Sequence, residues 1–171
     1  ASHYLVKNYR EKENLFACTG IMYNHESSRR GSQFVTKKII SSAVKIKLGI
    51  QEKLYLGNLD AKRDWGYAPD YVKAMWKVLQ AEKSDDFILA TGELHSVRKF
   101  LDITFSYLDL NYKDHVEVDP KFFRASERNP LCGNPSKINN IIGWKNTKCL
   151  EDIIKEMIDN EMLNHNRKKN K

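Results

Sequence analysis

The segment LFACTGIMY, residues 15–23, decides the fold class. It is a nearly continuous apolar run, and such runs are typical of strands that are buried on both faces of a parallel sheet. Residues 87–92, FILATG, form a second run of this kind, and residues 53–58 and 115–119 predict two further short strands. Segments with helical periodicity separate these strands. The alternation of strands and helices predicts an α/β fold.

The helical segments carry apolar residues at intervals of three and four positions. They are residues 1–12, 34–48, 67–80, 96–108, a short helix between Asn134 and Gly143, and a last helix with Thr147 as its N-cap. Gly49 and Gly143 are predicted to end helices, because glycine readily adopts the left-handed conformation that follows a last helical turn. In the helix that has Pro69 in its first turn, we expect one apolar stripe to face the core: Val72, Met75, Trp76 and Leu79.

Length and composition restrict the class of protein. With 171 residues, of which 41% are hydrophobic and 30% charged, the chain suits one domain with a core and is not of the disordered type. No apolar stretch approaches the roughly 18 residues of a membrane span. The formal net charge of +7 favours anionic partners. We do not expect nucleic-acid binding, because the basic residues form no single cluster with stacking aromatics. Residues 164–171 are predicted to be a basic, disordered tail.

Several motifs of enzymes are missing from the sequence. The eight glycines form no GxGxxG fingerprint, and there is no P-loop, no GxSxG and no tyrosine followed by a lysine four positions later. The five histidines lack the spacing of metal ligands, and the three cysteines contain no CxxC pair, so neither a metal site nor a disulfide framework is indicated. Such cysteines favour a reducing compartment, and we expect a cytoplasmic protein.

The stretch NHESSRRGSQFVTKK, residues 24–38, follows the first predicted strand directly. Ligands of open α/β sheets bind beyond the carboxyl ends of the strands, so this loop lies where an anion is expected. Arg29 and Arg30 are suited to clamp phosphates, and Gly31 allows the backbone to turn tightly. A solvated basic loop is the alternative interpretation.

The stretch GNLDAKRDWGYA, residues 57–68, places Arg63 between Asp60 and Asp64. Neighbouring carboxylates can hold a guanidinium in the orientation that a phosphate needs. A surface turn with local ion pairs is the alternative.

The stretch FFRASERNP, residues 122–130, contains Arg124 and Glu127 at a spacing that puts them on one face of a helical turn. An arginine suits a phosphate, and a carboxylate can accept hydrogen bonds from ribose hydroxyls. A surface ion pair is the alternative.

Five blocks of the sequence together resemble the GDP-mannose 4,6-dehydratase family of extended short-chain dehydrogenase/reductases. They are FACTGIMYNHESSRRGSQFVTKKI, LGNLDAKRDWGYAPDYVKAMW, FILATGELHSVRKF, VDPKFFRASE and NPSKINNIIGWK. The resemblance extends over residues 1–160 and implies the C-terminal part of such an enzyme. Residues 1–33 then correspond to the last helix and strand of a Rossmann domain whose N-terminal half is absent. Residues 34–163 correspond to a smaller GDP-sugar-binding α/β region, interleaved with the remaining Rossmann elements.

The resemblance also implies an activity. The family converts GDP-mannose to GDP-4-keto-6-deoxymannose: it oxidises C4, eliminates water across C5 and C6 and returns hydride to C6, with NADP as the hydride carrier. The catalytic Tyr-xxx-Lys pair is expected upstream of Ala1, so that this chain alone is expected to be inactive. The resemblance further implies a homo-oligomer, a dimer or tetramer. The alternative is a non-catalytic, truncated module that binds a GDP-sugar or a partner subunit.

Residue by residue, the resemblance implies binding roles only. His25 and Arg30 match positions that contact NADP. The positions that match contacts to the GDP-sugar are Asn24, Val35, Lys38, Arg63, Arg124 and Glu127.

Overall fold

The computed structural model describes residues 1–123 and 130–169 of the chain. Helices alternate along it with groups of one to three short strands. The helices are α1 (Ser2–Lys12), α2 (Val35–Lys47), α3 (Ala68–Val78), α4 (Val97–Tyr107), α5 (Ser136–Ile142) and α6 (Leu150–Lys169). The strands are β1 (Thr19–Met22), β2 (Asn24–Glu26), β3 (Leu54–Leu56), β4 (Lys62–Arg63), β5 (Trp65–Tyr67), β6 (Asp86–Leu89), β7 (His95–Ser96) and β8 (Val116–Val118).

The strands form short pairs, most of which are parallel. β1 pairs with β6, β2 with β5 and β3 with β8, each in parallel orientation, whereas β4 and β7 are antiparallel. Parallel pairs require connections that cross over, and helices supply them here. The α/β fold predicted from the alternating pattern is confirmed.

Three helices enclose the larger of two apolar cores. The periodic stripes of α2, α4 and α6 all point into it, as predicted. Its completely or almost completely buried members include Ile39, Ile40, Val44, Phe100, Leu101, Phe105, Ile153, Ile154, Met157 and Ile158. The smaller core lies between α3, α5 and β6 and contains Tyr71, Ala74, Val78, Phe87, Leu89, Ile138 and Trp144.

The face of α3 that packs against the protein differs from the prediction. The stripe that was expected to face inward is 43–64% exposed and comprises Val72, Met75, Trp76 and Leu79. The buried face contains Asp70, Tyr71, Ala74 and Val78 instead. Both faces carry apolar residues at helical spacing, so periodicity does not distinguish them. Hydrogen bonds from Trp144 to the backbone oxygen of Asp70 and from Thr147 to its carboxylate orient the helix.

β1 forms where the sequence predicts it, but its burial was predicted wrongly. Ile21 is 46% exposed and Met22 is 40% exposed, although the run was expected to be buried on both faces. Within residues 1–123 and 130–169, β1 pairs with β6 alone. An apolar strand is buried only when helices or other strands cover both of its faces.

The ends of the helices agree with the sequence in part. Gly49 and Gly143 have φ values of 69° and 65° and follow α2 and α5, as predicted. The side chain of Asn134 accepts a hydrogen bond from the backbone N–H of Ser136 at the start of α5. Thr147 does not cap α6, which begins at Leu150, because its hydroxyl and N–H both bind Asp70.

Residues 164–169, assigned from the sequence to a disordered tail, continue α6 as helix. Contacts one turn apart support this extension. The Asn164 amide donates to the Asn160 side-chain oxygen at 3.0 Å, and Nε2 of His165 lies 3.9 Å from Oε1 of Glu161. Such i, i+4 pairs stabilise a helix modestly.

Candidate functional site

The polar loop at residues 27–34 lies between β2 and the start of α2. β2 runs parallel to β5, with Asn24 opposite Trp65 and His25 opposite Gly66. Arg63 ends β4, two positions before Trp65. The fold therefore brings the predicted residues of β2 and its loop next to the strand that follows Arg63.

The ring of His25 is held by stacking on one of its faces and by a hydrogen bond at one of its nitrogens. Its Nδ1 lies 2.8 Å from the backbone oxygen of Tyr23, and its ring stacks on Tyr71 with 5.1 Å between the centroids. A carbonyl oxygen only accepts hydrogen bonds, so Nδ1 carries the proton and Nε2 is the acceptor of the neutral ring. His25 is thus pre-oriented and remains partly exposed.

Arg30 is held between a carboxylate and an aromatic ring. Its Nε lies 3.2 Å from Oε2 of Glu26, and its guanidinium carbon lies 3.5 Å from the centre of the Phe34 ring. The hydroxyl of Thr36 donates to the same Oε2 at 2.6 Å. A planar guanidinium can stack on a ring and pair with a carboxylate at the same time.

Glu26 is a residue of this site whose role sequence reasoning missed. Its side chain is completely buried, and among the described residues its Oε1 has no hydrogen-bond partner. Burial raises the pKa of Glu26 to about 7, although the hydrogen bond from Thr36 and the charge of Arg30 oppose the rise. Its position four residues before Arg30 is the signal in the sequence that indicates the pair.

Val35 begins α2 and Lys38 lies on its first turn. The Lys38 ammonium donates to the backbone oxygen of Tyr55 at 2.7 Å and lies 4.2 Å from the centre of the Phe122 ring. Partial burial lowers the pKa of Lys38. The backbone of Gly57 approaches Phe122 so closely that an added Cβ would lie 2.4 Å from the Phe122 oxygen. The start of α2, the end of β3 and residues 120–123 therefore converge at Lys38.

Arg63 is partly exposed, and its Nη1 donates to the backbone oxygen of Lys62 at 2.7 Å. The carboxylates on either side of it engage other groups. Asp60 forms a two-point pair with Arg98, at 3.0 and 3.2 Å, and Asp64 points into the interior. Among the described residues, Asp60 and Asp64 thus bind groups other than Arg63, unlike the local pairing suggested by the sequence.

Arg124 and Glu127, the two remaining predicted site residues, lie outside the described residues. Of the other six, Asn24, His25 and Arg30 lie on β2 and its loop, Val35 and Lys38 on the start of α2, and Arg63 on β4. Around these positions the chain offers cations and hydrogen-bonding groups, which suit a ligand with phosphates.

Residues 1–123 and 130–169 contain neither a metal-binding cluster nor a membrane-spanning helix. No group of three histidine, cysteine or carboxylate side chains in this part of the chain is arranged to hold a metal ion. No helix there is both long and apolar enough to cross a membrane.

Known proteins resemble this chain over most of its length. The protein family described as GDP-mannose 4,6 dehydratase matches residues 1–157. GDP-mannose 4,6 dehydratase 1 of Arabidopsis thaliana is 51% identical over 162 residues, which cover 95% of this chain and 45% of the relative. The human GDP-mannose 4,6 dehydratase is 42% identical over 184 residues, which cover 96% of this chain and 50% of the relative. The chain thus spans about half the length of the curated relatives it matches.

Solved structures agree in fold. RMD from Pseudomonas aeruginosa, complexed with NADPH, superposes with a TM-score of 0.86 at 17% identity, covering 96% of this chain and 53% of that one. The dTDP-glucose 4,6-dehydratase of Bacillus anthracis, in complex with NAD, gives a TM-score of 0.82 at 17% identity over 96% of this chain and 50% of that one. With the fold shared and the sequence match extending from residue 1 to residue 157, the chain belongs to the GDP-mannose 4,6 dehydratase family.

Proposed function

We propose that this chain is the substrate-binding part of an NADP-dependent GDP-mannose 4,6-dehydratase, a lyase that forms GDP-4-keto-6-deoxymannose. Family membership supports the reaction class. The observation that carries the assignment to this region is the arrangement of cations around β2, with Arg30 in the following loop, Lys38 on α2 and Arg63 beside the paired strand.

The GDP-sugar is assigned to Lys38 and Arg63. A diphosphate carries negative charge that both side chains can neutralise, Lys38 as a point charge and Arg63 as a planar fork. Asn24 supplies an amide that can donate to and accept from the sugar, and Val35 supplies apolar surface. Arg124 and Glu127 are assigned to the diphosphate and the ribose by resemblance.

NADP is assigned to His25 and Arg30. The fit rests on two observations: the ring of His25 is fixed with Nε2 as its acceptor, and the guanidinium of Arg30 is oriented by Glu26 and Phe34. When bound, NADP would accept the hydride from C4 and return it to C6. The residues of this chain bind and orient the two ligands. The proton-transferring Tyr-xxx-Lys pair is absent from its sequence.

The assembly and location are part of the same proposal. We assign the protein to the cytoplasm and to a homo-oligomer, a dimer or tetramer. Exposed apolar side chains on α3 and β1, among them Trp76 at 64% and Ile21 at 46%, are consistent with burial of further surface in the whole protein.

The test is made in the whole protein to which this sequence belongs. It should convert GDP-mannose to the 4-keto-6-deoxy product with NADP. Arg63→Ala should weaken GDP binding, measured by calorimetry, by roughly ten- to a hundredfold, as expected for the loss of a charge-assisted hydrogen bond. Arg98→Ala is the matched control, because it removes a nearby arginine whose partners are Asp60 and Tyr112. An unchanged affinity in a folded Arg63→Ala protein contradicts the site assignment.

A further inference from the structure

Asp64, the residue directly after Arg63, is a completely buried carboxylate at the junction of three loops. Its Oδ1 accepts hydrogen bonds from the backbone N–H and the hydroxyl of Thr91, at 2.9 and 2.6 Å. Its Oδ2 accepts from the backbone N–H groups of Gly92 and Gly133, at 3.1 and 3.2 Å. A buried carboxylate needs such donors, because burial without them is unfavourable.

The donors to Asp64 come from segments that are distant along the chain. Thr91 and Gly92 follow β6, and Gly133 lies shortly before α5. At Gly133 the packing leaves no space for a side chain, since an added Cβ would lie 2.1 Å from the Cβ of Ala90 and 3.0 Å from the Tyr23 ring. The backbone at Asp64 is therefore linked to closely packed segments of the fold.

We infer that Asp64 is a positioning residue for nucleoside-diphosphate binding. Asp64 acts by holding the backbone that presents Arg63, and this inference rests on the proposed function. The two residues are adjacent, Asp64 pointing inward and Arg63 remaining partly exposed. Because four hydrogen bonds hold the neighbouring Asp64, the Cα of Arg63, from which its long side chain extends, has a defined position. A displacement of this Cα by about 1 Å is enough to weaken a geometrically specific contact.

A positioning role and a purely structural role make different predictions. If Asp64 contributes only to folding, its replacement lowers the melting temperature and has no selective effect on ligand binding. If Asp64 acts through Arg63, its replacement weakens GDP binding, and this effect disappears when Arg63 is already absent.

The experiment compares three single variants of the whole protein, with GDP as the ligand. Asp64→Asn places an amide donor against backbone N–H groups, and Thr91→Val removes one donor hydroxyl while nearly preserving size. Asp60→Asn is the control, an exposed carboxylate that pairs with Arg98. We expect GDP to bind roughly tenfold or more weakly in Asp64→Asn, roughly three- to tenfold more weakly in Thr91→Val, and within about twofold of wild type in Asp60→Asn.

Each variant is then combined with Arg63→Ala. We expect Asp64→Asn or Thr91→Val to change the GDP dissociation constant less than about twofold in this background, while the losses in melting temperature still add. If Asp64→Asn does not fold, Thr91→Val alone decides. Unchanged GDP affinity in folded Thr91→Val, or effects that multiply with Arg63→Ala, overturns the inference. If Arg63→Ala itself leaves GDP binding unchanged, the proposed function of the site fails instead.

Discussion

The guanidinium carbon of Arg30 lies 3.5 Å from the centre of the Phe34 ring, close enough for a cation–π interaction. Glu26 approaches the same side chain, with 3.2 Å between the Arg30 Nε and Glu26 Oε2. The ring and the carboxylate together restrict the orientations of Arg30. The proposed cofactor contact is therefore built from three residues, two of which do not themselves match a cofactor-binding position.

Phe34→Leu should weaken NADP binding by roughly three- to tenfold, because leucine keeps apolar bulk but removes the ring face that orients Arg30. The dissociation constant of NADP is measured by fluorescence or calorimetry in the whole protein. Phe122→Leu is the matched control, since that ring lies against Lys38 and its loss should affect GDP rather than NADP. NADP affinity that falls in Arg30→Ala but not in Phe34→Leu contradicts the orienting role of the ring.

Glu26 should make folding less favourable as the pH rises from about 4.5 to about 7. Its pKa is raised from 4.5 to about 7 in the folded protein, chiefly by burial, so the folded state binds the proton more tightly than the unfolded state. The destabilisation of the folded state by Glu26 is absent below the pKa of Glu26 in the unfolded state. It develops through this pH window and reaches on the order of 3 kcal/mol above it.

Urea unfolding of the whole protein at pH 5 and pH 8 checks this expectation. The free energy of unfolding should fall less between the two pH values in Glu26→Gln than in wild type. Asp86→Asn is the control, because the hydrogen bond from Arg10 lowers the pKa of Asp86. The stability that Asp86 contributes is therefore lost only at pH values below this window. Equal pH dependence in wild type and Glu26→Gln shows that Glu26 does not titrate as described.

Gly57→Ala should destabilise the site, because its Cβ would lie 2.4 Å from the backbone oxygen of Phe122, which cannot move as a side-chain end can. We expect a loss of about 1–3 kcal/mol in stability, together with weaker GDP binding. Gly20→Ala is the matched control, with its nearest contact to Leu89 at an ordinary 3.7 Å. Thermal melting and GDP titration of both variants test the prediction, which fails if the two behave alike.

Substitutions of the adjacent residues Lys37 and Lys38 should act on different properties, Lys38 mainly on GDP affinity and Lys37 mainly on stability. Lys38→Met should weaken GDP binding roughly tenfold, since it removes a charge assigned to the diphosphate, and should lower stability by only about 1 kcal/mol through the lost hydrogen bond to Tyr55. Lys37→Met should lower stability by about 1–3 kcal/mol without a selective effect on GDP, because Lys37 pairs with the largely buried Glu161 at 2.5 Å. GDP titration and melting of both variants distinguish these roles, and equal effects on GDP would argue against the assignment of Lys38.

The sequence by itself predicted those features that depend on neighbours along the chain. The inward faces of α2, α4 and α6 follow from one dominant apolar stripe on each helix, and Gly49 and Gly143 end helices because they adopt positive φ. The polar loop, which lies after β2, and the membership of His25 and Arg30 in one segment could also be predicted, because loops between elements are local features.

Only the tertiary structure decided the features that depend on partners distant in sequence. α3 carries two apolar faces, and contacts from Trp144 and Thr147 to Asp70 select the one that is buried. Lys38 meets Phe122 across more than eighty residues, and Asp64 turns away from Arg63 to bind Gly133. Periodicity and spacing describe which residues share a face, whereas the partner of a buried carboxylate is set by which loops the fold brings to it.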